Sequence, residues 1–236
     1  MDDKLKTDDD KLKMGCLIIH GFAGNPDEVS CLSDYFIRKG YHVSCPVLKG
    51  HCGTRRDLAW THYNEWIKSA EDELVVMLQK CDSVIIIGFS MGGLIAANLA
   101  VKYKIDAVIT LNTPIYYWEK RKIFKNIIND LKTRKFEKTK GYISSSFNIP
   151  FTALYNFIAL LKSTKLIFTK IKCPIFIGQG LLDETVQHRS ADFIYENAGS
   201  AVKVIRRYKN ASHLICHSPH KDELFEDIYG FVNKLN

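Results

Sequence analysis

Ser83-Val84-Ile85-Ile86-Ile87-Gly88-Phe89-Ser90-Met91-Gly92-Gly93-Leu94-Ile95-Ala96-Ala97 decides how this chain folds. Its first half is apolar without alternation, as in a strand buried on both faces, and its second half has the composition of a packed helix. Between them lies Gly88-x-Ser90-x-Gly92. A serine flanked by glycines at a strand-to-helix junction is the pattern of a nucleophile elbow. The turn is too tight for side chains at the glycine positions, and the hydroxyl stands above the helix amino end, where N–H groups and the helix dipole favour negative charge.

The same alternation extends outward in both directions. Gly15-Cys16-Leu17-Ile18-Ile19-His20 reads as a first buried strand, followed by the turn-rich Gly21-Phe22-Ala23-Gly24-Asn25-Pro26 and a helix over residues 27–38. A short strand is expected over residues 41–46 and a helix over 58–78. Beyond the elbow come strands near residues 106–111, 174–178 and 201–205, with helices over 190–197 and 221–236. Apolar strands alternating with helices imply an α/β fold, a mostly parallel sheet with helices on both faces. Binding sites in such sheets lie at the carboxyl ends of the strands.

A chain of 236 residues is within the size of one such domain. Residues 1–13, in which Asp-Asp-Lys-Leu-Lys occurs twice, read as a tag or disordered leader. Residues 14–113 and 171–236 form the expected core, and 114–170 a helical cap insertion with stripes at Ile123, Phe124, Ile127, Ile128 and Leu131 and at Phe151, Leu154, Tyr155, Phe157, Ile158 and Leu161. Of these, Phe151, Leu154, Tyr155 and Ile158 are the candidates for walling an apolar substrate pocket.

The net charge of +7 is concentrated in residues 119–140, where nine basic side chains face three acidic ones. No nucleic-acid-binding motif accompanies them, so the run reads as a solvated face. The seven cysteines are odd in number and scattered, the pattern of reduced thiols rather than a disulfide framework. No apolar run is long enough to span a membrane, and the polar start lacks a signal-peptide core, so the cytoplasm is the expected location.

A nucleophilic serine needs a base, and the base a carboxylate that orients it. Asp183 follows the strand near 174–178, and His213 follows the strand near 201–205. Ser90, Asp183 and His213 thus occur in serine, aspartate, histidine order, each beyond its own strand, with Glu184 as rival carboxylate expected to point elsewhere. The crowded His213, Cys216, His217 and His220 match no zinc spacing. Backbone N–H groups of Phe22 and Met91 are the candidate oxyanion donors. His20 and His51 read as structural histidines that hold loops.

With these residues in view, the chain resembles the α/β-hydrolase superfamily, and within it the small bacterial carboxylesterases related to monoacylglycerol lipases. The likeness rests on His20-Gly21-Phe22-Ala23-Gly24-Asn25, Pro46-Val47-Leu48-Lys49-Gly50-His51, Trp66, the elbow, Asp183-Glu184, and Ser212-His213 leading into residues 223–229. It implies a Ser90, Asp183, His213 triad, hydrolysis of short- to medium-chain acyl esters, a small cap, and neither cofactor nor metal. The expected partner is a small acyl ester, with no nucleic acid and no stable membrane insertion. A longer-chain monoacylglycerol or a thioester would suit the same triad, and a non-catalytic binding protein could use the same scaffold. The sequence departs from relatives at Cys52, where Gly-His-Gly is usual. It also begins almost at the first buried strand, without the leading strands of many relatives, so an exposed sheet edge is expected to favour a homo-oligomer or to be covered by the leader.

Overall fold

The computed structural model describes residues 14–116 and 149–235. Six strands form one sheet: β1 Met14–Ile19, β2 His42–Ser44, β3 Ser83–Phe89, β4 Ala107–Leu111, β5 Ile175–Gly180 and β6 Lys203–Tyr208. Their spatial order is β2-β1-β3-β4-β5-β6, and every neighbouring pair is parallel. The helices are α1 Ser30–Arg38, α2 Arg55–Ala59, α3 Tyr63–Lys80, α4 Met91–Lys102, α5 Phe151–Lys165, α6 Arg189–Asn197 and α7 Lys221–Asn233.

The unbroken apolarity of the strands is explained by two cores, one on each side of the sheet. Successive side chains of a strand point to opposite faces. Leu17, Ile19, Val84, Ile86, Val108, Ile175 and Ile177 therefore pack with buried residues of α3, α4, α5 and α6. Cys16, Ile18, Ile85, Ile87, Ile109 and Phe176 pack with those of α1 and α7. Helices on both faces of a parallel sheet are what the sequence predicts.

Several boundaries differ from expectation. The helix expected over residues 58–78 is two, because a new start is built at His62: its Nδ1 accepts the N–H of Asn64, while the Glu65 carboxylate takes the His62 N–H. The helix expected over 27–38 is a 3-10 turn, Pro26–Val29, followed by α1. The strand expected over 41–46 pairs only along His42–Ser44. Of the insertion, α5 is described, whereas the stripe from Ile123 to Leu131 lies outside the described residues. All seven cysteines are free, Cys16 and Cys216 buried. Among the described residues no helix is long and apolar enough to cross a membrane.

Candidate active site

At the carboxyl end of β3 the chain reverses within one residue. Ser90 has φ 51° and ψ −119°, a left-handed conformation that a side chain-bearing residue rarely adopts. The turn is held from β4, whose Leu111 carbonyl accepts the Ser90 N–H at 2.8 Å. The flanking glycines are required by close approach. A Cβ on Gly88 would stand 2.3 Å from the Gly92 carbonyl oxygen, and one on Gly92 would stand 2.1 Å from that of Ile19. The helix thus starts hard against the sheet, and Ser90 sits at its amino end, 8% exposed.

Asp183 and His213 come together as the strand-end reading expects. The loops carrying them are joined by the N–H groups of Leu181 and Leu182, which donate to the carbonyls of Tyr208 and Ala211. His213 Nδ1–H donates to Asp183 Oδ2 at 2.9 Å, and the aspartate side chain is fully buried. The other carboxylate oxygen accepts the N–H groups of Thr185 and Val186 at 2.7 and 2.8 Å. The carboxylate is therefore locked in orientation, and the ring it holds lies tilted against Phe89, centroids 5.2 Å apart. Glu184, the rival, does not reach the ring; its carboxylate accepts the backbone N–H of His213 at 3.4 Å.

Ser90 and His213 line one cavity of about 700 Å³. Phe22 lines it too, in the loop after β1, and Met91 is the first residue of α4. Among the described residues no acceptor takes the N–H of Phe22 or of Met91. His20, 1% exposed, holds the Phe22 loop as expected: Nδ1–H donates to the Gly21 carbonyl at 2.9 Å and Nε2 accepts the Leu48 N–H at 3.3 Å. Burial lowers its pKa, which keeps the imidazole neutral and this donor-acceptor pattern intact. His51, also on the cavity wall, packs edge-on against His20 and Trp66, and burial followed by the charge of His20 pushes its pKa down to about 4. The departure at Cys52 has a local consequence. Cys52 takes φ 61°, a conformation that glycine adopts without strain.

The expected pocket wall needs correction. Phe151, Leu154, Tyr155 and Ile158 do not line the cavity; Phe157, from the same helix, and Ile149 do. The reason is helix phase. Ala153, Phe157, Leu160 and Thr164 share one stripe at intervals of three and four, and Asn98 of α4 donates to Thr164 Oγ1 at 2.8 Å, turning that stripe toward the body of the protein. Phe151 and Tyr155 fall on another face and are 88% and 73% exposed. Phe157 stacks on Phe22, centroids 5.0 Å apart.

Two residues of the site are ones the sequence reading missed. Asn112, wholly buried with φ 46°, accepts the Gly180 N–H at 2.7 Å and donates to the carbonyls of Ser212 and His213 at 3.0 and 2.8 Å. It joins the ends of β4 and β5 to the loop of the candidate base. An asparagine directly after a buried strand is the only local sign of it, since this residue type tolerates left-handed backbone. Glu28 lines the cavity from the turn Pro26–Val29 and accepts the Gly21 N–H at 2.9 Å. Burial raises its pKa against the opposing effects of that hydrogen bond and of His213 and His217.

A parallel sheet that presents a strained serine and a buried Asp–His pair at its carboxyl edge is the arrangement of the class of α/β hydrolases. Residues 17–192 match the model of the alpha/beta hydrolase fold family, and the chain belongs to that family. Among its relatives are the thermostable monoacylglycerol lipase of Bacillus sp. strain H-257, 28% identical over 217 residues that cover 85% of this chain and 83% of that protein, and the carboxylesterase of Bacillus subtilis strain 168, 24% identical with coverages of 93% and 92%. Similar solved structures include one from a study of LipS and LipT, two metagenome-derived lipolytic enzymes, with TM-score 0.80 at 22% identity and 94% of each chain covered. Another is a soluble variant of monoglyceride lipase from Saccharomyces cerevisiae bound to a substrate analogue, with TM-score 0.76 at 19% identity, covering 96% of this chain and 88% of that one.

Proposed function

We propose that this protein is a serine carboxylesterase that hydrolyses short- to medium-chain acyl esters through an acyl-serine intermediate. The observation that carries the reading is the hydrogen bond between His213 and the fully buried Asp183, on the wall of the cavity into whose lining the strained Ser90 is also built. In this reading His213 Nε2 takes the Ser90 proton as Oγ attacks the ester carbonyl. Nδ1–H stays on Asp183, which stabilises the imidazolium and fixes the tautomer. The tetrahedral oxyanion is held by the N–H groups of Phe22 and Met91, each worth about 3 kcal/mol in comparable sites. The imidazolium returns its proton to the departing alkoxide, and water, deprotonated by the same nitrogen, releases the acid. Residues 14–113 and 171–236 would supply this machinery, and 114–170 the cap, from which Phe157 lines the cavity.

A fluorophosphonate probe tests the nucleophile. Ser90→Ala abolishes labelling while the protein keeps its wild-type melting temperature; undiminished labelling would assign the chemistry to another serine. A monoacylglycerol is the second reading, supported by the relative of that name and by a cavity of about 700 Å³ stacked with Phe22 and Phe157. A panel of p-nitrophenyl esters from two to sixteen carbons, run beside monoacylglycerols and acyl-CoA, separates the two: kcat/KM peaking at about four to eight carbons supports the esterase, a rise through the long chains the lipase.

A further inference from the structure

The loop that carries Phe22 is wrapped around a carboxylate from outside the Ser90, Asp183, His213 set. Glu28 Oε2 accepts the Gly21 N–H at 2.9 Å, and a Cβ on Gly24 would stand 2.2 Å from the same oxygen. The chain therefore passes the carboxylate closely on both sides of Phe22, and between these two contacts Ala23 takes φ 55°. The turn that holds Glu28 is itself anchored from the other side of the site. His217 Nε2–H donates to the Asp27 carbonyl at 2.8 Å, and His217 lies four residues beyond His213. Glu28 thus stands between the segment bearing the base and the loop bearing an oxyanion donor. A carboxylate placed there merely for solubility would face water; this one is half-buried on the cavity wall, and burial raises its pKa.

Resting on the hydrolase reading above, we propose that Glu28 is a positioning residue that aims the Phe22 N–H at the reacting oxygen by holding the Gly21–Gly24 loop. The hydrogen bond, rather than the charge, does the holding. A glutamine carbonyl still accepts the Gly21 N–H, though less strongly than a carboxylate, whereas a methionine of similar length offers no oxygen to accept it. An oxyanion donor acts only when preorganised about 3 Å from the developing charge, so loosening its loop weakens transition-state binding and leaves ground-state binding nearly unchanged.

The test compares wild type, Glu28→Gln and Glu28→Met in kcat and KM for p-nitrophenyl butyrate, in inhibition by an alkylboronic acid that forms a tetrahedral adduct with serine, and in hydrogen exchange of the Gly21 amide. Glu28→Met is expected to lower kcat about 10- to 100-fold with KM within about threefold, to weaken the boronic acid by a similar factor, and to speed Gly21 exchange. Glu28→Gln is expected to keep kcat within about threefold of wild type. Unchanged kcat and boronic acid inhibition in Glu28→Met, or equal losses in Glu28→Gln and Glu28→Met, would overturn the proposal. Should wild type itself hydrolyse no ester, the hydrolase reading fails instead; Gly21 exchange then decides alone whether Glu28 holds the loop, and unchanged exchange in Glu28→Met overturns it.

Discussion

Replacing Asp183 by asparagine changes one atom, and the hydrogen bonds around it show why the effect on catalysis should be large. Oδ1 accepts the backbone N–H groups of Thr185 and Val186, whereas Oδ2 accepts the proton of His213 Nδ1. An asparagine has one acceptor oxygen. Placing its NH2 group against the two backbone donors would leave both unsatisfied in a buried site, at about 1–3 kcal/mol each. The amide oxygen therefore stays with Thr185 and Val186, and the NH2 group faces His213. The imidazole responds by accepting at Nδ1 and carrying its proton on Nε2, where it cannot take the Ser90 proton. Reaching the active tautomer requires the amide flip, so the cost of about 2–6 kcal/mol corresponds to a kcat lower by about 30-fold to about 10⁴-fold. The same change in the trypsin-type triad costs about 10⁴. The assay is steady-state hydrolysis of p-nitrophenyl butyrate with a thermal melt of each protein alongside. KM and melting temperature should change little, because the amide keeps its hydrogen bonds with Thr185, Val186 and His213. A kcat within tenfold of wild type in folded Asp183→Asn protein would refute the orienting role and with it the triad.

Asn112→Ala leaves the buried Gly180 N–H and the carbonyls of Ser212 and His213 without their side-chain partner, and should cost about 2–4 kcal/mol in urea unfolding together with a drop in kcat; a loss below about 0.5 kcal/mol would contradict the bridging role. For His51, whose pKa falls from an ordinary value near 6.5 to about 4, the unfolded chain binds more protons between these values, so stability falls as pH drops from about 6.5 to about 4, by roughly 3 kcal/mol. His20 adds to the loss in the same sense, and Glu28, with its pKa raised, opposes it at the acid end. His51→Gln should flatten urea midpoints across that window, and an unaltered slope would assign the acid sensitivity elsewhere.

How much of this was legible before folding depends on the distance over which each residue acts. The elbow was readable because its requirements are local: an apolar strand, glycines where the carbonyls of Gly92 and Ile19 leave no room for a Cβ, and a serine between them. The order of Ser90, Asp183 and His213 was readable because a parallel sheet puts every strand end on the same edge, so position after a strand already implies position in the site. Strand apolarity likewise announced two covered faces, and the glycine-rich start of residues 20–25 announced the Phe22 loop.

What required tertiary structure was the rotation of helices and the partners of polar side chains. The apolar residues of α5 run nearly all round the helix, so composition alone could not say whether Phe157 or Phe151 faces inward; the Asn98 to Thr164 bond and the packing on α4 decided it. Asn112 and Glu28 look like an ordinary turn residue and an ordinary surface acid until chain segments far from them in sequence, or folded back on them, supply the N–H and carbonyl groups they satisfy. The sequence by itself determined the fold class, the elbow and the strand ends that carry the candidate chemistry, because backbone geometry and burial impose those patterns residue by residue. Only the folded chain decided which side chains aim and anchor them, because a hydrogen bond between distant segments leaves no periodicity in either one.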